Sequence, residues 1–109
     1  MSKPLFYTYM LTNFEKTVIY IGFTNNLGIR LVEHWLGLKD NAFTNHYNVH
    51  YLIWFEETTY VLNAIAKEKE LKALFREKKE AIISEFNPEW RFLNEEVLGS
   101  WPPTKSKLI

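Results

Sequence analysis

Two runs of aromatic and β-branched residues open the chain with a connection of five residues between them, and this spacing constrains the fold more than any other feature. Leu5-Phe6-Tyr7-Thr8-Tyr9-Met10-Leu11 and Thr17-Val18-Ile19-Tyr20-Ile21-Gly22-Phe23 both read as strands. The connection Thr12-Asn13-Phe14-Glu15-Lys16 is short and mostly polar, so an antiparallel hairpin is the economical pairing. Side chains alternate across a strand, which groups Tyr7, Tyr9 and Leu11 on one face and Val18, Tyr20 and Gly22 on a face of the second. If the two faces coincide, the Tyr9 and Tyr20 hydroxyls come near each other on neighbouring strands.

Beyond the hairpin the periodicity changes. Thr24-Asn25-Asn26 offers a helix N-cap, and Leu27, Leu31, Trp35 and Leu38 follow at helical spacing. Arg30 and His34, four apart, stand on the edge of that stripe. Gly37 and Lys39-Asp40-Asn41 end the helix, and a loop follows from Ala42 to Asn48. Val49 to Glu56 reads as a third strand. Thr58 or Thr59 can cap a second helix whose apolar face is Val61, Ala64, Ile65 and Leu71. Phe75, Ile82, Ile83 and Phe86 mark a third helix, which Asn87-Pro88 ends because the residue before a proline avoids helical backbone. Trp90, Phe92 and Leu93 fold back onto the core. The order β-β-α-β-α-α predicts an α+β domain with helices packed on an antiparallel sheet. The expected division is a domain over residues 1–98 and a loosely ordered tail over 99–109.

Composition closes off several functions. With 109 residues the chain holds one domain, and with no cysteine it has no disulfide scaffold, thiolate metal site or cysteine nucleophile. Thirteen basic and thirteen acidic residues give zero net charge, so nucleic acid is not held by bulk electrostatics and needs a local basic strip. Aromatics reach 17%, more than a core this small needs, which places some rings at a site or an interface. No apolar run approaches the length of a membrane span and Met1-Ser2-Lys3-Pro4 begins no signal peptide, so the expectation is a cytoplasmic protein without membrane contact.

Glu68 is the residue that periodicity singles out. A carboxylate amid Val61, Ala64, Ile65 and Leu71 loses hydration, so it must be exposed at the end of the stripe, paired, or bound to a cation. The plain reading is an ion pair with Lys72, one turn away. The chemical reading is a ligand for Mg²⁺, which takes one or two carboxylates and fills its other positions with water and phosphate. Arg30 and His34 read either as solvated side chains or as a phosphate clamp beside a proton-handling imidazole. Lys72, Arg76 and Lys79 recur at helical spacing and can track a phosphate backbone or be a solvated face. His46 and His50 lack the spacing of a metal pair.

The ordered set of motifs says more. Thr8-Tyr9-Met10-Leu11-Thr12-Asn13, Tyr20-Ile21-Gly22-Phe23-Thr24-Asn25, Arg30, His34, Phe43-Thr44, Tyr47-Asn48, Ala66 to Lys72 and Asn87-Pro88-Glu89-Trp90 together resemble the GIY-YIG nuclease superfamily. The resemblance covers residues 5–96 and is nearest to the small stand-alone bacterial branch, related to the nuclease domain of the excision-repair C subunit. It departs in its first motif, where Tyr7-Thr8-Tyr9 lacks the usual glycine and isoleucine.

The resemblance implies a three-stranded antiparallel sheet flanked by helices. It also implies a catalytic set of Tyr9, Tyr20, Arg30, His34 and Asn87, with Glu68 holding Mg²⁺ or Mn²⁺. Arg30, Lys72, Arg76 and Lys79 then form the nucleic-acid contact strip. The implied activity is metal-dependent endonucleolytic hydrolysis of DNA, in repair or recombination. A binding module of the same fold with little turnover is the rival, and RNA is the alternative substrate, since phosphate contacts do not distinguish the sugars. All six site residues are expected on one concave patch, with Glu68 on the same side of the sheet as Tyr20.

Overall fold

A computed structural model describes residues 3–37 and 46–103. Leu38, the polar segment after it, Phe43-Thr44 and residues 104–109 of the tail lie outside the described residues. The elements are β1 (Phe6–Thr12), β2 (Ile19–Thr24), α1 (Leu27–Leu36), β3 (Tyr51–Thr58), α2 (Val61–Lys72), α3 (Arg76–Phe86) and a short α4 (Asn94–Leu98). The sheet order is β2-β1-β3 with both pairs antiparallel, so β1 is central and β2 lies at an edge. This is the α+β architecture that the sequence order predicts.

The hairpin connection is cross-braced by one side chain. Asn13 Oδ1 accepts from the amides of Thr17 (2.8 Å) and Val18 (3.1 Å), while its Nδ2 donates to Thr17 Oγ1 (2.7 Å). In the β1–β3 ladder Met10 faces Trp54 and Leu11 faces Leu52, so Ile53 is the extra residue of a bulge. The bulge lets Ile53 and Trp54 both pack on one face while Leu52 packs on the other.

Alternation along β1 divides the core in two. Tyr9 and Leu11 pack with Leu27, Leu31, Val49, Leu52 and Leu93 under α1 and α4. Met10 packs with Ile21, Ile53, Trp54, Leu71 and Ile83 under α2 and α3. Each fully buried aliphatic or aromatic side chain contributes about 1.5–3 kcal/mol by removal from water. Thr8 turns toward α2 and donates its hydroxyl to the Ala64 carbonyl at 2.9 Å, which ties that helix to the central strand.

Several boundaries differ from the sequence reading. β3 runs to Thr58, two residues beyond the expected end, because Glu56 and Glu57 pair with Thr8 and Tyr7 of β1. Neither Thr58 nor Thr59 caps α2: Tyr60 holds the N-cap position, and the Thr58 hydroxyl accepts from the Tyr60 amide at 3.2 Å. Val61 and Phe75, expected on apolar faces, are exposed. Phe75 precedes α3 at its N-cap rather than joining its buried stripe. α4 is an element that the sequence pattern does not announce. Buried Asn94 starts it, accepting from the Leu52 amide (2.8 Å) and donating to the His50 carbonyl (2.9 Å). Trp101 packs on Trp35 with ring centroids 5.2 Å apart. Among the described residues no helix is long and apolar enough to cross a membrane.

Candidate active site

The site begins with a tyrosine laid across a glycine. Tyr9, in the central strand, is completely buried and pairs with Gly22 of β2. A Cβ built on Gly22 would stand 2.6 Å from the Tyr9 Oη and 2.8 Å from its Cζ. The ring therefore occupies the space that any other residue at position 22 would fill. Its hydroxyl reaches His34 Nε2 at 3.1 Å.

α1 delivers that histidine. Asn26 caps the helix by accepting from the Ile29 amide at 3.0 Å, and Leu27 and Leu31 bury its inner face. His34 follows Leu31 by three residues and so falls on the same face. It is buried to 3% exposure, which rules out the solvated reading of this residue. Its ring meets Tyr9 edge-on at 6.0 Å and Tyr20 at 5.5 Å. Tyr9 and Tyr20 are themselves 6.4 Å apart, as alternation on the two strands predicts.

Burial sets the charge states of the inner pair. It pushes the His34 pKa down to about 4, with the positive charge of Arg30 and then His50 acting in the same direction against Glu33. The imidazole is neutral at neutral pH. Burial, and next the neighbouring Tyr20, push the Tyr9 hydroxyl far above its ordinary range, with Arg30 opposing and Glu68 adding to the rise. Tyr9 therefore stays protonated at neutral pH. The Nδ1 atoms of His34 and His50 are buried without a partner, while the His50 ring hydrogen-bonds to the His34 backbone.

The charged members occupy the rim. Arg30 donates from Nε to Glu33 Oε1 at 3.1 Å, an ion pair the sequence reading missed although i to i+3 spacing signals it. Glu68 is paired with Lys72 at 3.5 Å, and its side chain keeps 16% exposure. The helix carrying Glu68 packs on the face of the sheet opposite Tyr20, which corrects the expectation of one shared face. Arg30 and Glu68 both act electrostatically on the Tyr9 hydroxyl, which lies against Gly22 of the edge strand β2. A depression of about 200 Å³ on β2 is lined by Ile19, Tyr20, Ile21, Lys72 and Lys79, drawing on both faces of the strand.

Two of the expected residues have other partners. Asn87 donates to the carbonyls of Ile53 (3.1 Å) and Arg91 (2.9 Å) and accepts from the Arg91 amide (3.1 Å). These bonds anchor the end of α3 to β3, at the sheet edge away from β2. Arg76 donates to Glu80 (2.8 Å) and to the carbonyls of Thr17 (2.6 Å) and Lys16 (3.2 Å), so its guanidinium braces the hairpin.

Among the described residues no group of three or more acidic or histidine side chains could hold a metal. A cation here would have the Glu68 carboxylate, whose partner is one half-exposed lysine at 3.5 Å, and would complete its shell with water and phosphate. That hard-oxygen, carboxylate-poor set fits Mg²⁺ or Mn²⁺ and not a nitrogen- or sulfur-ligated metal.

A family model described as the GIY-YIG catalytic domain matches residues 5–81. Comparison with curated proteins and with solved structures returns no match. The matched span takes in the tyrosine pair, the α1 arginine and histidine and the α2 glutamate, and the chain belongs to the GIY-YIG nuclease superfamily.

Proposed function

We propose that the chain is a divalent-metal-dependent endonuclease that hydrolyses phosphodiester bonds in DNA. The observation that carries this reading is the Tyr9–His34–Tyr20 cluster with Arg30 and Glu68 both close enough to act on the Tyr9 hydroxyl. In hydrolysis a water oxygen bonds to phosphorus, the bond to one ester oxygen breaks, and that oxygen leaves with a proton. Arg30 binds the non-bridging oxygens and offsets the charge that builds on them. Tyr20, the tyrosine that lines the surface depression, orients the attacking water. Tyr9 reaches no phosphate from its buried position; it positions Tyr20 and His34. The neutral His34 holds the Tyr9 hydroxyl and can pass a proton along that contact. Asn87 braces the fold behind the site. Glu68 would hold Mg²⁺ or Mn²⁺, which supplies Lewis-acid stabilisation of the phosphoryl and leaving oxygens when bound. The resemblance to the excision-repair subunit points to repair or recombination as the setting.

One feature favours a weakly active binding module instead: Arg30 is shared with Glu33 before any phosphate arrives. A cleavage assay on nicked, branched and single-stranded DNA and RNA with Mg²⁺ or Mn²⁺ separates the readings. The wild type should cut, and Glu68→Ala should lower the rate by about 10² or more, since it removes the carboxylate holding the Lewis acid. The partner lysine is half exposed, so stability should change by less than about 1 kcal/mol. Binding without cleavage would support the module. A rate unchanged in Glu68→Ala together with a lowered melting temperature would make Glu68 structural.

A further inference from the structure

Three rings gather at the β1–β2 turn, where Phe92 extends the Met10 side of the core outward to the surface. Tyr51 stacks on Phe92 with centroids 4.2 Å apart and planes inclined by 21°. Phe14, in the turn itself, meets Tyr51 at 6.1 Å and Phe92 at 5.9 Å. Phe14 nevertheless remains 68% exposed. Its neighbours fix where it sits, and the Asn13 bonds fix the turn that carries it. Lys16 holds its ammonium 5.2 Å from the centre of the Phe92 ring. An exposed ring held rigid beside a cation is what a stacked, negatively charged strand requires.

This surface continues into the candidate active site. Arg76 grips the carbonyls of Lys16 and Thr17. Lys79, three residues further along α3, lines the depression with Tyr20 and Lys72. Cations therefore run from the aromatic platform to Tyr20 through Lys16, Arg76, Lys79 and Lys72. Acids are interleaved with them: Glu15 accepts from Asn13 at 3.3 Å, Glu80 pairs with Arg76 and Glu68 with Lys72. Such a balanced track gives little bulk attraction for a duplex, so the ring contact has to contribute affinity of its own.

We infer that Phe14, braced by Tyr51 and Phe92, is a stacking platform for an unpaired base of the strand whose backbone crosses Tyr20. The inference rests on the nuclease reading and narrows it: the substrate carries unpaired nucleotides beside the cut, as single-stranded, flapped or branched DNA does. Within a continuous duplex both faces of each base are already stacked, and Phe14 has nothing to receive.

Fluorescence anisotropy in metal-free buffer tests this without cleavage, using a labelled single strand, the same strand with abasic positions, and a blunt duplex. Phe14→Ala should weaken binding of the intact single strand about 5-fold or more, the effect of losing one stacked base. Phe14→Trp should restore it, and the abasic strand should not sense either change. The exposed position makes unfolding by these substitutions unexpected, and thermal melts check it. Single-strand affinity within about 2-fold of wild type in Phe14→Ala, an equal loss on the abasic strand, or wild-type preference for the duplex would overturn the platform while leaving the nuclease reading intact. A wild type that binds none of the three probes would overturn both.

Discussion

Replacing Gly22 by alanine tests the geometry on which the site depends. The added Cβ would lie 2.6 Å from the Tyr9 Oη, about 0.8 Å short of an ordinary 3.4 Å contact, and 2.8 Å from Cζ. Both atoms belong to a rigid ring with no exposure, so no flexible end can yield. A shift of that size is larger than the margin by which the 3.1 Å Tyr9–His34 bond stays within hydrogen-bonding range. Overpacking a core position costs about 1–3 kcal/mol, and leaving a buried polar pair unsatisfied costs a similar amount. The expected loss is about 2–4 kcal/mol, which in a domain of this size lowers the melting temperature by about 10–20 °C. Denaturant unfolding followed by circular dichroism measures it. Gly28→Ala is the control: its Cβ meets the flexible Leu98 Cδ2 at 3.3 Å, and a helical Gly→Ala change favours the helix by up to about 1 kcal/mol, so stability should hold or rise. In a Tyr9→Leu background the cost of Gly22→Ala should fall below about 1 kcal/mol because the ring is gone. A loss under about 0.5 kcal/mol in the wild-type background, or the same loss in both, would refute the packing argument.

The buried imidazole predicts a pH dependence. With its folded pKa at about 4 against an ordinary 6.5, the unfolded chain takes up the His34 proton first, so stability is complete above about pH 6.5 and falls as pH drops toward 4. The span corresponds to at most about 3 kcal/mol; His50, also pushed down by burial, adds in the same direction. Unfolding curves from pH 4 to 8 should be flatter for His34→Gln than for wild type, and coincident slopes would show that His34 charges freely in the fold. Asn87→Ala removes three hydrogen bonds between α3, β3 and the turn after it, so a stability loss of about 2–3 kcal/mol is expected with turnover per folded molecule largely kept. Unchanged melting with a collapsed rate would instead place Asn87 in the chemistry.

Residues whose role follows from local periodicity are legible in the sequence. The β1 and β2 alternation brought Tyr9 and Tyr20 together, and the Leu27 and Leu31 stripe announced α1. Gly37, with φ 68°, closes that helix as a left-handed cap. What the sequence hid is tertiary. Nothing in Gly22 announces that a ring from the next strand lies over it. His34 reads as a stripe-edge residue and becomes buried because Tyr9 offers a polar partner there. Asn87 and Arg76 look like site residues by motif and by charge, yet each also binds backbone carbonyls 34 to 60 positions away in sequence. Asn94 carries no local signal, because an asparagine starting one turn of helix looks ordinary. Its use as a bridge to His50 and Leu52 depends on a chain reversal that no local pattern encodes.

The arrangement assigns different physical duties to the two depths of the proposed site. Tyr9 and His34 are sealed from water, carry no charge at neutral pH, and are held by their mutual hydrogen bond and by the absence of a side chain at position 22. Their burial suits positioning more than direct contact with a charged phosphate, because an anion brought to that depth would lose its hydration. Tyr20, Arg30 and Glu68 keep partial access to solvent, and they come from three different elements, β2, α1 and α2. Arg30 comes with Glu33 and Glu68 with Lys72, so each charge already has a modest, exchangeable partner. A phosphate can replace Glu33 on the arginine, and a divalent cation can replace Lys72 on the glutamate, each exchange trading a weak exposed pair for a stronger contact. The edge strand is where this is feasible: it is thin, it is flanked by helices on both faces, and at Gly22 it lets the inner hydroxyl approach the rim. Of the outer groups only Tyr20 belongs to β2; Arg30 comes from α1 and Glu68 from α2, so the site depends on how both helices pack against the sheet.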